Sequence, residues 1–138
     1  ASQTEWDHSD PATFAPHLLQ NPLAGTTAKR IIVQESIGDA QVPNMSTRIL
    51  ARTMGLTGMG LVTPVYGINQ AAGPLDSAYT QWDRHITPKP PTTNTAATRD
   101  NGAHNAIQGI PELLLQIQRF FRPDGRAENT CSSLCDFP

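Results

Sequence analysis

Hydrophobic and polar positions fall into a few short periodic runs separated by long irregular stretches, and only the runs have the spacing of packed elements. RIIVQES (30 to 36) is a short β-branched run followed by Gly38, the pattern of a buried strand in a parallel sheet. From Asn44, an N-cap type of residue, NMSTRILARTMG sets Met45, Ile49, Leu50 and Met54 near one stripe. Gly55 follows where a C-cap glycine belongs, so a helix is predicted. Strand, short loop, helix is the unit of an α/β fold. SAYTQWD (77 to 83) reads as a second strand, with Trp82 packing at its end. In PELLLQIQRFFRPDG, Pro111 suits a first helical turn and Leu113, Leu114, Ile117, Phe120 and Phe121 recur at helical spacing. Arg119 and Arg122 lie where the helix dipole favours cations, and Gly125 ends the run.

The remaining stretches have less to bury. Residues 1 to 29 form a polar lead-in, in which Asp10 and Pro11 start a helical turn running through Phe14, Leu18 and Leu19 to Asn21 and Pro22. LVTPVYGI (61 to 68) is apolar but broken by Pro64, and reads as an extended edge piece or a loop. Residues 87 to 99 hold three prolines and five threonines and are predicted to form an extended surface loop. The chain is thus read as one segment, 1 to 138, with a loop-rich insertion at 56 to 99 and a cysteine-containing tail at 126 to 138. Two or three short strands do not make a stable parallel sheet, whose strands need neighbours and covered faces. No internal repeat supplies more, so the rest of the sheet is expected from a separate N-terminal chain.

Composition narrows the function classes. A formal charge of -2 gives no electrostatic footprint for nucleic acid, and Lys29-Arg30 is the only adjacent basic pair. No apolar run approaches the roughly 18 residues of a membrane span. The start ASQTEWDHSD has neither a basic nor an apolar leader region and reads as the start of a processed chain. The two cysteines, Cys131 and Cys135, cannot by themselves build a four-ligand zinc site and have no histidine nearby in sequence. They are read as a local disulfide worth about 2 kcal/mol on chain-entropy grounds, with a pair of free thiols as the alternative. A disulfide, many prolines and sparse lysine point to a secreted, periplasmic or cell-surface location. Asp7, His8 and Asp10 read as solvated surface rather than a metal site, and His17 and His85 as structural. No cofactor is implied.

Two segments carry a family resemblance. IIVQESIGDAQVPNMSTRILARTMGL resembles the α/β-hydrolase family where the acid of the catalytic triad leaves a late strand: strand, Gly-Asp-x-x-Val-Pro, helix. The resemblance makes Asp39 the acid and Val42-Pro43 the turn into the next helix. Such a carboxylate holds the histidine in the tautomer that accepts the serine proton, and stabilises the imidazolium formed. DNGAHNAI (100 to 107) resembles the family's histidine loop after the final strand, which makes His104 the general base. Acid before histidine is the family's order. Their separation of 65 positions is more than usual, the excess lying in 56 to 99, where a substrate-facing loop or lid would fit.

The chain has no G-x-S-x-G and no His-Gly-Gly segment, and Ser46 falls in the first turn of a predicted helix. The resemblance therefore implies the C-terminal part of an α/β-hydrolase sheet, late parallel strands with flanking helices. Its activity would be that of a secreted serine esterase or lipase, acting on an ester or lipid only once another segment supplies the serine. The alternative reading is a hydrolase-derived structural or assembly subunit.

Overall fold

A computed structural model describes residues 5 to 93 and 95 to 137. Ala1, the residue behind the expectation of processing, lies outside these residues. In chain order the elements are helices α1 (Pro11–Phe14) and α2 (Pro16–Leu19), strand β1 (Ile32–Ser36) and helix α3 (Asn44–Met54). Strand β2 (Ala78–Trp82) and helices α4 (Ala103–Ala106) and α5 (Pro111–Phe120) complete the order. Helix and strand are mixed around a small parallel sheet of two strands, in the register Ile32↔Ala78 to Ser36↔Trp82. The segment after α3 borders the far side of β2, where Tyr79 N donates to Thr57 O and Met59 N to Tyr79 O, each at 2.9 Å. Among the described residues no strand pairs with the outer edge of β1.

Alternation along the strands decides which helix covers which face. Val33 and Tyr79 face α3, joining Ala51, Met54, Leu56, Leu61 and Ile68 in a core that α1 and α2 close with Ala15, Leu18 and Leu19. Ile32, Ala78 and Trp82 face the other way, onto Phe120 and Ala127 at one end and Ile107, Ile110 and Leu113 at the other. Helices thus lie on both faces, as parallel strands require. The segment 56 to 68 contributes Leu56, Met59, Leu61 and Ile68 to the core. Within the proline- and threonine-rich stretch, the residues from Thr87 to Arg99 other than Asn94 are exposed apart from Pro90 and Ala97, which are half-buried.

Each predicted helix differs from its pattern in one respect, with an identifiable cause. The lead-in helix is split at Ala15-Pro16 into two short turns, the first capped by Asp10, whose carboxylate accepts from Ala12 N. Asn44 is the first helical residue rather than the cap; its side chain accepts from Gly38 N at 2.8 Å and donates to Ser36 O at 2.7 Å, tying α3 to the end of β1. Met45 and Ile49 are consequently exposed, and Ala51 and Met54 form the buried side of α3. On α5 the buried line is Leu113, Gln116 and Phe120, and Phe121 is left 73% exposed. Gln116 can be buried because both ends of its amide are hydrogen-bonded. It accepts from Gln34 at 2.8 Å and from Thr80 at 3.3 Å, and donates to Glu128 O at 2.8 Å. Gly125 lies beyond the helix, at a point where a Cβ would fall 2.1 Å from Arg119 O, so backbone contact demands glycine.

The C-terminal tail returns to β2. Cys131 and Cys135 form a disulfide, Asp83 N donates to Cys135 O, and Phe137 stacks on Trp82 at 6.3 Å. Among the described residues no helix is long and apolar enough to cross a membrane.

The α3 face also buries charge. Glu35, in β1, is bonded to Arg48 at 2.9 Å and accepts from Gln81 Nε2. Burial pushes its carboxyl above the usual range despite Arg48, Tyr79 and Gln81. Burial alone would lower the Arg48 guanidinium, but the bond and charge of Glu35 hold it above its usual value. Burial, and then the Glu35 charge, raise the Tyr79 phenol. An acid with a raised folded pKa binds more protons folded than unfolded. Its favourable contribution is present at low pH and is lost as pH rises through the folded value. Arg48→Met should therefore destabilise by about 2 kcal/mol near pH 8, a figure reduced because Arg48 is partly solvated, and by clearly less near pH 5. Urea denaturation at the two pH values checks this; an equal loss at both would contradict it.

Candidate functional site

The site begins where β1 ends. Ile37 N still pairs with Trp82 O, and the chain then turns at Gly38, whose φ of 80° is a conformation open to glycine. Asp39 comes next and is buried. Its Oδ1 accepts from Gln41 N at 2.8 Å and Val42 N at 3.0 Å, an Asx-type turn that fixes the carboxylate before it meets any other side chain. The second oxygen, Oδ2, is left facing out of the turn.

His104 comes to that oxygen from α4, a single helical turn. Gly102 enters it with φ 78°, and two side chains from the preceding loop cap it: Asp100 Oδ1 accepts from Gly102 N, and Asn101 Oδ1 from Ala103 N. His104 Nδ1 and Asp39 Oδ2 are 2.8 Å apart. A carboxylate only accepts, so the proton of this bond belongs to Nδ1 and the neutral ring presents Nε2 as its basic nitrogen. No described residue hydrogen-bonds to Nε2. The imidazole is 39% exposed and the carboxylate 7%, so the ring stands between the buried acid and solvent.

Three further contacts hold the two loops together, and a fourth ties Asn101 to the proline-rich stretch. Asn101 Nδ2 donates to Gly38 O at 2.8 Å and to Pro88 O at 2.9 Å, Gln41 Nε2 to Asp100 Oδ2 at 2.9 Å, and Ser36 Oγ to Ala103 O at 2.7 Å. The Asp100 carboxyl is held below its usual range, first by the Gly102 amide and then by Gln41. None of Ser36, Gln41, Asp100 and Asn101 stood out in the sequence; an Asx residue two positions before a glycine or alanine is too common to be a signal.

Asp39 and His104 line a groove of about 370 Å³ along the outer edge of β1. Gln34, Glu35 and Ser36 form its floor, Val42, Asn44 and Thr47 one wall, and Ile107, Leu113, Leu114 and Ile117 the other. Both residues expected at a catalytic site thus stand in one cleft with mixed apolar and polar walls. Ser36 is there too, but its hydroxyl is committed to Ala103 O. Ser46 is exposed in the first turn of α3.

The other histidines are placed differently. His17 Nδ1 bonds to Asn21 O at 2.7 Å at the end of α2. His85, for which the sequence offers no partner, meets Asp136 at 2.6 Å. His8 is exposed, and Asp10 is used as a helix cap.

No protein-family model, curated protein or solved structure matches the chain.

If the loop contacts fix the pair, Asn101→Ala should cost about 1 to 2 kcal/mol through the lost bonds and the orphaned Gly38 carbonyl. It should also speed amide exchange at Ala103 and His104 selectively. Hydrogen exchange tracked by NMR reads both effects; unchanged protection at those amides would mean that the loops hold without it.

Proposed function

We propose that this chain is part of a secreted serine hydrolase of the α/β-hydrolase type, an esterase or lipase, to which it contributes Asp39 and His104. The supporting observation is the 2.8 Å contact between Asp39 Oδ2 and His104 Nδ1, with the opposite carboxylate oxygen held by two backbone amides. The fold is consistent with this role. Asp39 leaves β1 and Asp83 leaves the parallel β2 at the same end of the sheet, and the long connection from Asp83 delivers His104 to that end.

In this reading the serine stands on a separate N-terminal chain, whose strands continue the sheet from the outer edge of β1. Parallel strands are stable within wider sheets covered on both faces. Here β2 is bordered by the segment around Gly58, so β1 is the side open to extension. His104 Nε2 takes the proton of the incoming serine hydroxyl as it attacks the ester carbonyl, and returns it to the alkoxide that leaves. Asp39 keeps the imidazole in the Nδ1–H form and stabilises it once charged. Water then attacks the acyl-enzyme with His104 again accepting the proton. Donors for the oxyanion come with the serine-bearing segment. The disulfide fits a secreted, periplasmic or cell-surface location, since such bonds persist in oxidising compartments.

A serine-directed fluorophosphonate tests the reading on the native protein. Labelling of a companion chain is expected, and His104→Ala should abolish it. Asp39→Asn should lower kcat for a short-chain ester by about 10⁴-fold, as tautomer control is lost. Absence of labelling in any chain, or labelling indifferent to His104→Ala, would favour an assembly role without catalysis.

A further inference from the structure

A second set of ligating side chains gathers beyond the end of β2. Asp83 comes directly after Trp82 and is joined to the tail by backbone: its N–H donates to Cys135 O at 3.0 Å, and Phe137 N donates to its carbonyl at 2.8 Å. That bridge sets the carboxylates of Asp83 and Asp136 side by side, on a tail closed by the Cys131–Cys135 disulfide. His85, two residues on, has a left-handed φ of 51°, which turns its ring back. Its amide donates to Asp83 Oδ1 at 2.7 Å and its Nε2 stands 2.6 Å from Asp136 Oδ1. One ligand atom from each of the three lies within 4.8 Å of the others, an arrangement found at no other place among the described residues.

We propose that Asp83, His85 and Asp136 bind a divalent ion of the zinc class, which staples the C-terminal tail to the end of β2. One imidazole and two carboxylates are a donor set that zinc takes with bonds of about 2.0 to 2.2 Å. Calcium wants six to eight oxygens, more than these three residues supply. Asp83 is buried, while His85 and Asp136 are 52% and 43% exposed, so an ion could enter from solvent and complete its shell with water. Lys89 pairs with the other Asp83 oxygen, Oδ2, at 3.4 Å. With a neutral imidazole, the two carboxylates and this ammonium leave net negative charge where the ion would sit. The ligand positions are held by backbone pairing and the disulfide, so little chain entropy is lost on binding. The site is separate from the Asp39–His104 groove and does not depend on the hydrolase reading.

Isothermal titration of the metal-free native protein with Zn²⁺ tests it. One-to-one binding is expected, weakened at least tenfold by Asp136→Asn and by His85→Gly, a substitution that keeps the positive φ unstrained. The double substitution His8→Ala/His17→Ala, of one exposed and one half-buried histidine, should leave binding unchanged, which separates this site from histidines elsewhere on the chain. No one-to-one binding, binding that survives Asp136→Asn and His85→Gly, or displacement by equimolar Ca²⁺ would overturn the proposal.

Discussion

Parallel pairing of β1 with β2 is the constraint on which the rest of the molecule depends. Strands that run the same way end on the same side, so the chain leaving Ser36 and the chain leaving Trp82 must emerge there together. The turn after β1 presents Asp39, and the connection after β2 returns to it with His104. An antiparallel pair in the same register would send these residues to opposite ends. The pairing also fixes the faces, and with them the helices that can cover the sheet. A slip of one residue would turn Val33 toward α5 and Gln34 toward the apolar layer under α1 to α3.

Polar residues inside the two interfaces make that register hard to exchange for another. On the α5 side Gln34, Thr80 and Gln116 share one amide oxygen, and the Trp82 indole donates to Thr80 at 3.1 Å. On the α3 side Glu35, Arg48 and Gln81 are joined, with Gln81 also donating to the Tyr79 phenol. Every buried side-chain polar atom among the described residues has a partner. Such networks add little net stability, but an unsatisfied member costs the desolvation of its group. A misregistered sheet would leave several unsatisfied at once.

The strands and long helices were legible because their signals are local. β-Branched runs mark β1, and Gly55 has the left-handed φ of 75° that its position after α3 implies. Asp39 and His104 were legible through the residues around them, Gly38 and Val42-Pro43 in one case and Gly102 in the other. What escaped was long-range. Gln116 has no place in the predicted apolar face, because the partners that let it be buried lie 82 and 36 positions away in sequence. Met45 and Ile49 looked buried because nothing local shows Asn44 binding the end of β1 and turning α3. The clasp from Asn101 to Gly38 spans 63 positions, and the Asp83–Asp136 bridge joins the end of β2 to the tail; neither leaves a trace in spacing.

The catalytic role proposed for the pair rests on one proton. If Asp39 orients His104 as a triad acid does, the neutral ring is protonated at Nδ1, against the preference of free histidine, and Nε2 is left basic. Imidazole ¹⁵N NMR of the native protein, with His104 assigned by substitution, reads this directly. The expected result is a protonated Nδ1 coupled to a downfield proton that disappears in Asp39→Ala. A His104 ring protonated at Nε2, with no such proton, would contradict it.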